Sequence, residues 1–367
     1  MDLADLIKQL MDTGEFYKLT RNPLAQFGNR ARNRVYLGAT LLPEIARPPM
    51  ENNFTEEDIA IRALIADDTT RYSPAQKKNR IETQALDIVL GEIDAGREFH
   101  ASHIDTLNRL LMAGNQLSAI SNLIGLLEQL GVQPLMDKKE LQRWQAIVTA
   151  RVQYKGTGNK DRIIQFEDPI GHRFTAGGNW SDDAYNPFDD FEKARNTLEE
   201  AGYTLGRIIC RGKPLNLMQA NASVQTKVGR ITIDPNLQLQ ATGQLSGRNR
   251  IQGYLTENDF PNVEVYNLDY YTQTTRQFFI PDDVMIFIGN TPRNYALGND
   301  SPGDEMLLYN TLGYYAVGTP QAQTTAGDVV RAYYHDRKPA NIQVEAYGTG
   351  LPILQESEAI IVCRGIS

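Results

Sequence analysis

His100, His103 and Asp105 form the tightest grouping of ligand-type side chains in this chain. Two imidazoles and a carboxylate could begin a metal site. A zinc centre needs three or four such groups, and the other histidines are His172 and His335, with no cysteine nearby. The trio therefore reads as the polar start of a helix. His335-Asp336 has the look of a base with its orienting acid, yet no nucleophile stands beside it. Gly156-Thr157-Gly158 and Gly243, Gly247 and Gly253 read as loop glycines. They match neither a phosphate loop nor a dinucleotide fingerprint, and no Gly-x-Ser-x-Gly elbow is present. Asp189-Asp190 and Asp282-Asp283 are better explained by a helix start and a turn than as acid–base pairs. The sequence nominates no catalytic residue, no cofactor-binding residue and no metal ligand.

Composition narrows the class further. The 367 residues suffice for two domains, or one large one with insertions, and 41% are hydrophobic, enough for a packed core. No apolar run approaches the ~20 residues of a membrane span, so the chain reads as soluble, with no membrane partner. Met1 to Asp5 is acidic and amphipathic, unlike a secretory signal. Cys210 and Cys363 could make at most one bridge and read as reduced thiols of a cytosolic product. Lys and Arg number 37 against 45 Asp and Glu, a formal charge of -8. That opposes a dedicated nucleic-acid binder, whose affinity comes from neutralising phosphates. It does not oppose a container, whose acidic lining would keep DNA from sticking to the wall.

With no chemistry to position, the elements themselves carry the information. Leu3, Leu6, Ile7 and Leu10 share one face of a short helix over 1–13, and Gly14 sits where it would stop. An irregular stretch to Met50 holds a basic cluster, Arg21, Arg30, Arg32 and Arg34, which is either a solvated loop or an arm crossing an acidic neighbour. Thr55 to Asp58 reads as a helix start or turn. Two alternating runs follow, Ile59 to Ile65 and Ile81 to Val89, around a polar tip with Arg71, Lys77 and Lys78. This is a long two-stranded finger with little core of its own, which needs something to lie on. Those seven basic residues are the expected inter-subunit contacts.

Leucines and isoleucines recur at helical spacing from Ser102 to Leu130, with Gly114 and Gly125 placed to bend or split the helix and Gly131 to stop it. A second helix spans Lys138 to Arg151 and contains Trp144, and a strand follows at 163–166. The clearest helix lies at 187–201: Asn186 as cap, Pro187 in the first turn, Asp189 and Asp190 at the positive dipole end, Gly202 as stop. From Val224 to Cys363 strands dominate. The stretch from Pro261 to Asn290 reads as paired strands with an aromatic hairpin and a Phe-Ile-Pro-Asp turn.

Several of these segments resemble one family. Trp180-Ser181-Asp182-Asp183 before Asn186-Pro187, then Ile208 to Gly212, Leu215 to Leu217, Tyr266 to Pro281, Leu312 to Tyr315 and Gly350 to Leu354 are similar in order and character to the lambda-type major capsid proteins (coat protein E) of tailed phages. The resemblance implies an α+β chain with the capsid fold shared by tailed phages and herpesviruses. Its parts would be an N-terminal arm (1–50), an extended loop (51–95), a peripheral domain with a long spine helix at 187–201 (96–205), an axial domain (206–335) and strands returning to the peripheral domain (336–367). It implies self-assembly into hexamers and pentamers of an icosahedral shell around double-stranded DNA, without sequence-specific binding. The chain would be made in the host bacterial cytoplasm and end in the virion.

Because the finger begins within about 60 residues of Met1, a separate scaffolding protein is expected, with a portal and a decoration protein as further partners. Lysine–asparagine crosslinking between subunits, found in some relatives of this fold, is not expected, since the finger offers only Lys77 and Lys78 and no acid–asparagine motif is identifiable. Two other readings stay open: a tail-tube or other β-rich virion subunit, and a soluble enzyme with an unrecognised site.

Overall fold

The computed structural model describes residues 34–60, 82–98, 101–114, 128–156, 160–228, 247–272, 275–291, 311–320, 323–335 and 341–367, with Leu123 and Gly125. The helix expected over 1–13, the cluster Arg21, Arg30 and Arg32, and the finger tip with Arg71, Lys77 and Lys78 lie outside these residues.

The chain opens with α1 (Leu37–Leu41), β1 (Glu44–Ala46), β2 (Asn53–Ala60), β3 (Glu82–Val89) and β4 (Gly91–Glu98). Next come α2 (Ala101–Met112), a π-helical turn (Glu128–Val132) running straight into α3 (Gln133–Thr149), the hairpin of β5 (Arg151–Gly156) and β6 (Lys160–Gln165), and β7 (Arg173–Thr175). Then follow α4 (Phe188–Glu200), β8 (Leu205–Cys210), α5 (Gly212–Ala220), α6 (Ala222–Val228) and α7 (Gly247–Glu257). The rest is β9 (Val263–Val265), β10 (Asp269–Tyr271), β11 (Arg276–Phe278), β12 (Met285–Gly289), β13 (Gly313–Val317), β14 (Val329–His335), β15 (Asn341–Leu354) and β16 (Ile360–Arg364).

Two mixed sheets organise these elements. In the first, β15 is the centre: β14 and β13 lie along one side, β4 along the other, and β1 adds in parallel outside β13. Its period-2 pattern is plain. Ile342, Val344 and Ala346 are buried against Ile104, Leu107, Val132 and Leu135 of α2, the π turn and α3, while Gln343, Glu345 and Tyr347 face the other way, half-buried. The second sheet runs β7-β16-β12-β8-β9. Its central strands are apolar at consecutive positions because both faces are covered. Ile208, Cys210, Met285, Phe287, Ile361 and Cys363 meet α4 to α7, whereas Ile209, Ile286, Ile288, Ile360 and Val362 join Trp144 and Ile147 of α3 and the far end of β15 in a second cluster.

The mixed α+β class holds, and the helix expected at 187–201 is present as the thirteen residues of α4. The longest helix among the described residues is α3, seventeen residues that start earlier than the expected Lys138 and lie against β15. Other expectations change. Thr55 to Asp58 is strand, not a helix start, because β2 pairs residue for residue with β3 from Asn53↔Val89 to Ala60↔Glu82.

Gly131 does not stop a helix. It sits in the π turn, where a Cβ would come 2.8 Å from Val330 Cγ1, so its lack of a side chain lets the helix approach the sheet. Gly114, at φ +73°, does end α2. Gly247 and Gly253 belong to α7 rather than to a loop, so the region after Val224 is less purely β than expected. β9 and β12 share a sheet but are separated by β8, and the hairpin is β10–β11 alone. The expected boundary at 335/336 falls between the paired strands β14 and β15.

Candidate assembly surface

The finger is the first feature that positions parts of this chain for a neighbour. β2 and β3 form a two-stranded sheet of their own. Its base is clamped: Asn52 Nδ2 donates to Thr319 O at 2.9 Å, Thr319 N donates back to Asn52 Oδ1 at 2.8 Å, and Leu90 N donates to Asn52 O at 2.9 Å. Gly318 has to be glycine there, since a Cβ would meet Asn52 Oδ1 at 2.4 Å. The ribbon therefore leaves the first sheet at a fixed point.

The root of the N-terminal segment is held just as firmly. Arg34 donates to Asp137 Oδ1 of α3 at 3.0 Å and to the Asp269 carbonyl at 3.1 Å, and Tyr36 donates its hydroxyl to the same Asp137 oxygen at 2.7 Å. Burial lifts the Asp137 carboxyl above the ordinary range despite these donors. Of the seven basic residues expected at subunit contacts, Arg34 is the one described, and its guanidinium is engaged inside its own chain.

Behind Arg34 lies a charged cluster that sequence reasoning missed. Lys139 bridges Glu44 at 3.2 Å and Asp328 at 2.7 Å, and Arg143 reaches Glu44 at 3.0 Å while lying 4.7 Å over the Tyr315 ring. Glu140 Oε1 accepts from Gly38 N at 2.8 Å, Trp144 Nε1 at 2.7 Å and the Tyr266 hydroxyl at 2.7 Å. Lys139, Glu140 and Arg143 are completely enclosed. A Cβ at Gly38 would sit 2.8 Å from Glu140 Oε2, which explains the glycine. The cluster bolts α1 and β1 onto α3 and onto the segment before β14. Its signal in sequence is nil, because the partners are far apart in the chain.

The segments quoted for the family resemblance are locked by polar contacts. Trp180 donates its indole N–H to Asp190 at 2.8 Å, and Gly177 N donates to the same carboxylate at 3.0 Å. Asn221 Nδ2 donates to the carbonyls of Trp180, Asp182 and Tyr185, while its Oδ1 accepts from Val224 N at 3.0 Å and so caps α6. In the Phe-Ile-Pro-Asp turn Phe279 and Ile280 are buried, Arg211 pairs with Asp282, and the Arg211 guanidinium lies 3.4 Å over the Phe278 ring.

Of the candidate metal trio, Asp105 is exposed, while His100 and the His103 side chain lie outside the described residues; no group of three or more His, Cys, Asp or Glu gathers among the described residues. His172 is a buried core histidine with Nδ1 3.3 Å from the Ile360 carbonyl oxygen. Among the described residues no helix is long and apolar enough to cross a membrane.

Residues 29–362 match the sequence model of the family described as phage major capsid protein E. No curated protein matches this chain. Among solved structures, a protein of an Escherichia coli CFT073 prophage, assigned as its capsid protein, superposes at a TM-score of 0.57 with 14% identity, over 95% of this chain and 99% of that one. A phage-related protein of Bordetella bronchiseptica RB50 superposes at 0.44 with 12% identity, over 94% of this chain and 97% of that one. The satellite phage P4 procapsid chain superposes at 0.42 with 10% identity, over 94% and 99%. The chain belongs to the phage major capsid protein E family and is a structural subunit of a tailed-phage capsid shell.

Proposed function

We propose that the chain assembles as hexamers and pentamers into an icosahedral shell around double-stranded DNA, each subunit using its finger to lie on a neighbour. The observation that carries this is the ribbon β2–β3, eight residues per strand and thus about 26 Å long, paired among the described residues only with itself. A lone two-stranded ribbon is marginal in water and needs a surface to cover it. The part built on the first sheet and α3, from which the finger springs, takes the peripheral place. The part built on the second sheet and α4 to α7 takes the axial place, a division that differs from the expected one, which gave the helix at 187–201 to the peripheral part. The arm before Arg34 reaches a neighbour, and Arg21, Arg30 and Arg32 are the charges it brings.

A separate scaffolding protein, a portal and a decoration protein complete the particle, and the chain is made in the host cytoplasm. DNA is enclosed without base contacts, in keeping with a chain of net charge -8.

Negative-stain images of the purified chain test this. Closed shells are expected. Tubes would favour the tail-tube reading, and small uniform particles would overturn both. Removing residues 66–80 should leave a folded subunit that closes no shell; normal particles from that deletion would refute the role of the finger.

A further inference from the structure

The second sheet has an edge that a side chain closes. β9 is its outermost strand and, among the described residues, pairs with β8 alone, in parallel, from Ile208↔Val263 to Cys210↔Val265. Tyr266 N donates to Cys210 O at 2.9 Å. In a parallel ladder the N–H and C=O of one residue point the same way and successive residues alternate. Glu264 and Tyr266 therefore turn to β8, while the backbone of Val263 and Val265 turns outward.

An open strand edge is a template on which another chain can add a strand. Pro261, just before β9, has no N–H to offer such a strand. Val263 has both groups, and Gln252 of α7 takes both. Val263 N donates to Gln252 Oε1 at 2.9 Å, and Gln252 Nε2 donates to Val263 O at 3.0 Å. One carboxamide thus makes the two bonds that an added strand would make to this residue. It is held out from a fixed backbone, because Ile251 and Leu255 on either side of it along α7 are buried in the core. Val265 follows on the same edge with 37% of its surface exposed.

We propose that Gln252 is an edge guard: it fills the strand-adding position of β9 and keeps a second copy of this chain from pairing there. Two bare β9 edges would meet about a two-fold axis, each giving and receiving the same bonds, and would join the second sheets of two subunits into one. Such a pair is closed on itself and has the wrong symmetry for a ring of five or six. That consequence rests on the capsomer reading; the guard itself does not.

The test removes the amide and keeps the helix. It uses the full-length chain below the concentration at which the wild type assembles. Gln252→Leu should sediment as two subunits rather than one, its self-association stronger by about tenfold, the order expected of a few backbone bonds freed for pairing. Gln252→Ala, too short to reach Val263, should do the same. Adding Val265→Lys to Gln252→Leu puts a charge on the exposed edge and should return single subunits, while Val265→Lys alone should change nothing. Circular dichroism should show every variant folded.

Folded Gln252→Leu or Gln252→Ala that stays a single subunit overturns the inference, whatever stability it has lost, and leaves the shell reading intact. So does association that Val265→Lys does not reverse, which would mark a chain sticking through surfaces other than this edge. A wild type that forms no rings or shells, beside a Gln252→Leu variant that pairs, sinks the capsomer reading and leaves the guard standing.

Discussion

Lys139 and Asp328, 189 residues apart in the chain, meet at 2.7 Å with 1% and 8% of their side chains exposed. Removing one partner strands a buried charge, which costs about 3–5 kcal/mol, whereas replacing both with apolar groups costs far less. Lys139→Met and Asp328→Leu should therefore each lower stability in urea unfolding by that order, and the double variant by much less than their sum. A neutral Lys139→Met would show that the pair does not hold the fold.

The same cluster sets a response to acid. Burial alone would raise the Glu44 carboxyl, but Lys139 and Arg143 outweigh it and hold it below the ordinary value. A depressed carboxylate stabilises the fold above its unfolded pKa, about 4.3, and that stability is lost as pH falls through the lower folded value. Asp328 runs the other way. Burial, with Glu44 close by, lifts it despite Lys139, so its contribution is present in acid and lost as pH rises through the raised value. Against an Asp328→Asn background, Glu44→Gln should flatten the fall of melting temperature below about pH 4.3; an unchanged acid limb would refute the assignment.

Arg34 should separate from the rest of the basic cluster. Its bonds to Asp137 and to the Asp269 carbonyl lie within the subunit, so Arg34→Ala should cost about 1.5–3 kcal/mol of subunit stability. Arg30→Ala with Arg32→Ala should leave unfolding unchanged and weaken assembly, more so as salt falls. Equal melting of the two variants would place Arg34 with its neighbours as solvated surface.

The thiols should be silent in the folded chain. Burial pushes Cys210 up to about 12, and Cys363 is raised further by the same cause. Both lie on the helix-covered face of the second sheet, where β12 separates them and each is registered against Met285. Ellman's reagent at pH 8 should react slowly with native protein and rapidly after denaturation. Fast native labelling would mean that the second sheet opens.

Shells boiled in denaturant should run as a single monomer band. The finger supplies only Lys77 and Lys78 for an amide bond to a neighbour's asparagine, and the sequence shows no acid–asparagine motif to promote it. A ladder of multiples would disprove this.

What the sequence discloses follows from where the signal lies. α4 was legible because its start and stop are local: Pro187 opens it and Gly202, at φ +86°, closes it. Central strands of the second sheet were legible, though not their order, because burial on both faces writes unbroken apolar runs. Thr55 to Asp58 misled because a capping pattern is also local, and here cross-strand pairing overrides it. Asp190 was credited with the helix dipole alone, although it also holds Trp180. Lys139, Glu140 and Arg143 were invisible: polar letters on a helix read as solvated, and their partner Glu44 lies 95 and 99 residues away from Lys139 and Arg143.

The strand order carries a message about timing. β15 lies at the heart of the first sheet and β16 between β7 and β12 in the second, yet both are made after every other strand of their sheets. Neither sheet can close until residues 341–364 have left the ribosome, and such distant pairings form slowly. A half-made subunit thus has its finger strands but neither sheet complete. The interval also leaves apolar strand edges bare for a while, which makes this the stage at which a folding helper would matter most.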